Sequence, residues 1–381
     1  MMEEYIISQY KKETKVLEAV HPRNFDDSTL VPDKDVLSIV YDIYTPVKKS
    51  ENNLVPKVNI LFLHGSGMSR CIWEYYVAYI MDKRPNWRIN KIVLMDQVSH
   101  GDSAVLNAEK LGVNFDWVDG ARDACKLAQN EFFGEASTYN VVIGHSMGGF
   151  QALSCGVLMP SLFDLIIAIE PVVLMYVGKG TTGEYTIISR KLHQALLSKM
   201  KDRFQSELEY QKYMRTSSFF AKVHPDILQR IIDFERLTLS NGEVRTKMDQ
   251  RQNILCYLTL FPSAKWLLGS LKFIRSPVVT ILGGISKWTP KENQQVLERF
   301  IPDYTRDTVP EGDHLLNIEN PEETLSKIVC HISRFVSMKS RDTNCLERDL
   351  TVNERRNLFN AQFNRFQAQR VDDRPMELAK F

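Results

Sequence analysis

No stretch of this 381-residue chain approaches the ~18 consecutive apolar residues that a membrane-spanning helix requires. Excess charge is lacking too. Against 48 Lys and Arg stand 47 Asp and Glu, a formal net charge of +1. A dedicated nucleic-acid binder draws its affinity from a surplus of basic residues, so that class is excluded. Cysteines are few and scattered: Cys71, Cys125, Cys155, Cys256, Cys330 and Cys345, with no C-x-x-C pair and no His spacing that suits zinc. Several lie inside apolar runs, which predicts free thiols in a reducing compartment, with no metal and no cofactor. The opening Met1-Met2-Glu3-Glu4-Tyr5 carries early acids and lacks the apolar core of a secretory signal, so a soluble intracellular protein is expected. Internal repeats are absent. Gly178-Lys179-Gly180-Thr181-Thr182-Gly183 has the wrong order for a Walker phosphate loop.

What is present is organised around Val141-Val142-Ile143-Gly144-His145-Ser146-Met147-Gly148-Gly149-Phe150. Three β-branched residues predict a buried strand, Gly-x-Ser-x-Gly a sharp turn, and Phe150-Gln151-Ala152-Leu153-Ser154-Cys155 the first turns of a helix. That is the context of a nucleophile elbow, in which glycines permit backbone approach and the helix N-terminus lies beside the hydroxyl. Further short apolar runs predict strands at Val36–Tyr44, Val58–Leu63, Lys91–Asp96, Leu165–Ile169, Pro277–Leu282 and Thr305–Val309. Helix-length segments separate most of them, which predicts an α/β fold: a doubly wound, mostly parallel sheet with its site at the carboxyl ends of the strands. Between 172 and 262 the strand rhythm stops. Tyr185–Lys201, Gln205–Met214, Pro225–Thr238 and Val244–Leu260 all read as helical, the pattern of an inserted helical cap.

The chain is too long for one minimal domain and divides as follows. Residues 1–34 form an N-terminal arm, 35–171 and 263–336 the sheet core, 172–262 the cap, and 337–381 a C-terminal extension. The extension carries one further amphipathic helix over 350–371. Glu131 to Glu135 reads as a solvated turn.

An acyl-transfer serine needs a base, an orienting acid and oxyanion donors. Ser146 is the expected nucleophile. His314, in Gly312-Asp313-His314 after the last strand, is the expected base; the other histidines read as structural or solvated. Met147, directly after the nucleophile, supplies one oxyanion N–H. Ser66 in His64-Gly65-Ser66-Gly67 supplies the second, with Gly67 the alternative. The loop after the next-to-last strand, Gly283 to Pro290, has no carboxylate, and Ser286 stands where an acid is usual. Glu170, at the end of the strand following the elbow, is the expected acid; Asp226 and Asp233 in the cap are weaker alternatives.

These motifs resemble the α/β-hydrolase superfamily, in its branch with a helical cap. Phe62 to Ser69, Trp73 to Tyr76, Gly144 to Leu153 and Ile231 to Arg236 are similar to a fungal peroxisomal lipase branch, and the similarity reaches into the cap. The resemblance implies a serine hydrolase of lipid or fatty-acyl esters acting through an acyl-enzyme. Haloalkane dehalogenases of the superfamily hold a Glu in a place much like that of Glu170, but with an aspartate nucleophile. A serine would trap an alkyl halide or epoxide as a stable ether, which leaves acyl substrates. An acyl-CoA thioesterase or metabolite-pathway hydrolase is the alternative, and a non-enzymatic ligand-binding protein of the same fold a second. Ala379-Lys380-Phe381 has the small–basic–apolar form of the Ser-Lys-Leu address, so a peroxisomal import receptor is the expected partner and the peroxisomal matrix the expected location.

Overall fold

A computed structural model describes residues 2–48, 55–83, 85–134, 138–177, 179, 186–342 and 350–371. The chain separates into two compact units, Met1–Val336 and Ser337–Phe381. The first is built on an eight-stranded sheet: β1 (Tyr10–Glu18), β2 (Ser38–Pro46), β3 (Lys57–Leu63), β4 (Arg88–Met95), β5 (Thr138–His145), β6 (Leu165–Ile169), β10 (Val278–Gly283) and β11 (Tyr304–Val309). Its order is β1-β2-β4-β3-β5-β6-β10-β11. Only β1 against β2 and β2 against β4 run antiparallel. Alternation along β3 shows why helices cover both faces: Val58, Ile60 and Phe62 belong to one buried cluster, Leu61 and Leu63 to the other.

The segment expected as an arm differs from that reading. It folds as a helix, Met2–Gln9, followed by β1, which pairs with β2 from Tyr10↔Pro46 to Glu18↔Ser38. As an edge strand β1 leaves most of its Lys and Glu side chains to solvent, which blunts the edge and hides the strand from a hydrophobic pattern. Glu131 likewise is no solvated residue. It is buried at the end of the helix Trp117–Phe132 and accepts a hydrogen bond from Tyr41 Oη at 2.9 Å.

The insertion between β6 and β10 carries the helices Arg190–Ser198, Glu207–Thr216, Pro225–Glu235 and Gln250–Leu258. It also holds a small antiparallel sheet that the helical reading omitted: β7 (Arg203–Phe204), β8 (Arg236–Thr238) and β9 (Val244–Thr246), in the order β7-β9-β8. Asn241-Gly242 makes the reversal, with Gly242 at φ +85°, so β8 doubles back on β9. In the second unit, Thr351 and Glu354 form a capping box on the helix Val352–Ala368, where Phe359 stacks on Phe363.

Candidate active site

β5 ends at His145, and Ser146 turns the chain into the helix Met147–Leu158. Ser146 sits at φ 55°, in the left-handed region that side chains rarely occupy. The turn is closed too tightly for side chains at its flanks. A Cβ on Gly144 would stand 2.0 Å from Gly148 O, and one on Gly148 2.3 Å from Leu63 O. The serine hydroxyl therefore projects from a rigid corner at the carboxyl end of the sheet.

On the neighbouring strand, Glu170 follows β6 and is the one other described non-glycine residue at positive φ, 46°. Its buried carboxylate accepts three hydrogen bonds. Gly283 N–H reaches Oε1 at 2.7 Å, and Ser286 Oγ and His314 Nδ1 reach Oε2 at 2.7 and 3.1 Å. The other imidazole nitrogen, Nε2, is 3.0 Å from Ser146 Oγ. With the Nδ1 proton held by a carboxylate, Nε2 carries the lone pair and the serine O–H donates to it. Ser146, His314 and Glu170 are thus brought into one hydrogen-bonded row. Asp226 lies in the opening turn of the cap helix, its N–H donating to His224 Nδ1, and Asp233 accepts from Gln229 Nε2 at 3.0 Å; neither carboxylate is at His314.

Three buried histidines hold the surrounding loops. His64 donates from Nδ1 to Gly65 O at 2.9 Å and accepts at Nε2 from Gln97 N at 3.1 Å. His100 Nε2 accepts the Gly67 N–H at 3.2 Å. His145 Nε2 donates to the backbone carbonyl of His314 at 2.8 Å and so fixes the loop that carries the base. Burial drives the His64 imidazole down to about 4 and the His145 imidazole to about 3, and lowers His100 well below the ordinary histidine value. All three are neutral, as their hydrogen bonds require.

Met147 opens its helix, so its N–H has no partner within the helix. Ser66 Oγ approaches Met147 Sδ at 3.5 Å, which sets the two expected oxyanion residues side by side. Gly67, the alternative, has its N–H committed to His100. Sequence reasoning missed Ser286 as a support of the acid, and Trp288, whose ring stacks on His314 with centroids 5.1 Å apart. The one available signal was that both lie in the loop after β10, where the acid was sought.

Above the row lies a cavity of about 440 Å³ between cap and core. Met200, Met214, Phe219 and Phe220 line it from the cap, Met68 and Trp288 from the core, and Ser146 and His314 open into it. A half-open cavity with a largely apolar lining, edged by Lys199, Lys201, Lys287, Glu235, Asp313 and Glu319, over a serine, base and acid can hold an acyl chain while the hydroxyl attacks its carbonyl carbon.

Comparison with known proteins agrees with this architecture. A sequence model of the alpha/beta hydrolase family matches residues 60–327. The peroxisomal membrane protein LPX1 of Saccharomyces cerevisiae is 42% identical over 375 residues, covering 94% of this chain and 96% of that one. The solved structure of the peroxisomal alpha-beta-hydrolase Lpx1 from the same yeast matches with a TM-score of 0.81 at 43% identity, covering 96% of this chain and 99% of that one. A type I acyl-CoA thioesterase of Penicillium brevicompactum, mpaH', is 32% identical over 172 residues, 44% of this chain and 39% of its own length.

Proposed function

The chain belongs to the alpha/beta hydrolase family, and we propose from that premise that it is a serine hydrolase of lipid or fatty-acyl esters. The observation that carries this reading is the row Ser146–His314–Glu170 opening into a largely apolar cavity. As the carbonyl carbon is attacked, His314 Nε2 takes the serine proton. Glu170 stabilises the imidazolium through Nδ1, and the Met147 and Ser66 amides hold the oxyanion. The imidazolium then gives its proton to the leaving alcohol, and water repeats the sequence on the acyl-enzyme. Chromogenic acyl esters of increasing chain length test it. Ser146→Ala is expected to lower kcat by about 10⁴-fold or more; hydrolysis at the parent's rate would sink the assignment.

A thioesterase reading is favoured by the similarity to the Penicillium enzyme. Parallel rates on acyl-CoA and on glycerides separate the two. We also infer a peroxisomal location, from the names of the yeast relatives and from Ala379-Lys380-Phe381, which lies outside the described residues and would engage an import receptor.

A further inference from the structure

Three acids outside the triad line the cavity, Glu235, Asp313 and Glu319, and Glu235 alone of them stands on the cap helix Pro225–Glu235. Glu235 closes the cap helix Pro225–Glu235 and lies, half-buried, at the cavity wall. One carboxyl oxygen, Oε1, accepts the hydroxyl of Ser69, which lies three residues beyond Ser66 in the oxyanion loop. Its carboxylate makes no other hydrogen bond or ion pair among the described residues, although cations stand close by, and its backbone carbonyl accepts the Lys247 N–H at 3.0 Å. Arg70, Arg230 and Lys247 all sit over the ring of the adjacent Phe234. Each is engaged elsewhere: Arg70 with Asp42, Asp96 and Asp102, Lys247 with Asp102, and Arg230 with Glu74. Glu235 is thus a carboxyl at the cavity wall, amid paired charges, without an ion-pair partner of its own. A wholly apolar ligand would strip its remaining water and return nothing.

We propose that Glu235 is a specificity-determining residue of this cavity and binds a hydroxyl group carried by the substrate. Ser69, which Glu235 holds, lies three chain steps beyond Ser66, so the two are at most about 11 Å apart from Cα to Cα. The inference rests on the ester-hydrolase reading for the identity of the scissile group. Burial, with Asp96 next in effect among the groups that raise it, pushes the Glu235 carboxyl up to about 7, so both of its forms are present near neutrality. A hydroxyl answers either form, accepting from the acid and donating to the carboxylate. A ligand ammonium would be met by Arg70 and Lys247, and a carbonyl serves the acid form alone.

Kinetics on methyl octanoate, monooctanoylglycerol and methyl 8-hydroxyoctanoate test the proposal. The glyceride carries its hydroxyls on the alcohol side and the hydroxy ester carries one on the acyl side, so the pair also shows from which direction Glu235 is reached. Wild type is expected to prefer one hydroxylated ester over methyl octanoate. In Glu235→Leu the ratio of their kcat/KM values should fall about tenfold or more, while the isosteric Glu235→Gln retains most of it. A ratio unchanged in Glu235→Leu overturns the proposal. Binding read from Trp288 fluorescence in Ser146→Ala, with and without Glu235→Leu, separates this from the hydrolase reading. A tenfold weaker Kd for the hydroxylated ester alone supports the contact even if no ester is turned over; an equal change for all three esters refutes it.

Discussion

At the residue scale, His64, His100 and His145 show how a site can be rich in histidine while one imidazole alone stands between a serine and a carboxylate. Burial holds the three neutral, and each spends a nitrogen on a backbone group of the loops around Ser146. His314 differs because a carboxylate faces its Nδ1 and a serine its Nε2. The acid in turn depends on neighbours in the loop after β10. Ser286→Ala removes one of three hydrogen bonds to the Glu170 carboxylate and should lower kcat about tenfold, whereas Glu170→Gln should cost about 10³-fold. Ester hydrolysis at saturating substrate measures both. A greater loss in Ser286→Ala than in Glu170→Gln would move the acid's role away from Glu170. The positions of Ser146 and His314 at strand ends were legible in the sequence because each follows a strand in a recognisable turn. Ser286 and His145 were not, because what gives them a role is a contact made across the sheet end. Sequence neighbours carry no sign of that.

At the element scale, the parallel strands were legible for a simple reason. They are covered on both faces, so Val141-Val142-Ile143 and Leu165 to Ile169 read as unbroken apolar runs. β1 was not, since its exposed Lys and Glu carry no such run. The cap sheet was missed because its strands are only two or three residues long, although Asn241-Gly242 is a hairpin signal in plain view. The cap is tied to the core on two flanks. On one, Arg230 pairs with Glu74 and Lys247 with Asp102 at 2.6 Å. On the other, Gln252 Nε2 donates to Gly112 O at 3.0 Å, Thr259 Oγ1 to Phe115 O at 2.7 Å and Trp117 Nε1 to Cys256 O at 3.0 Å. Among the described residues the roof is thus held to the core along both of these flanks. Hydrolysis of a short-chain triglyceride should therefore rise hyperbolically through the substrate's micellar limit; a jump in rate there would show that the roof swings.

At the scale of the whole molecule, location and chemistry are separable. Removing Ala379-Lys380-Phe381 from an N-terminally fluorescent fusion should turn a punctate peroxisomal pattern diffuse without altering kcat on a soluble ester. Puncta that persist would remove the tripeptide from targeting. The separability has a counterpart inside the sheet. Ser146 and Glu170 both leave adjacent strands one residue past the paired positions His145↔Ile169. Their spacing is therefore set by the interstrand repeat of about 4.8 Å and by no loop. The last residue of β10 contributes an amide and the loop after it a hydroxyl to the Glu170 carboxylate, and the insertion after β6 contributes nothing to that spacing. Both segments are thus open to lengthening or replacement in descendants of this chain, and the cavity can change shape with the Ser146–Glu170 spacing unchanged.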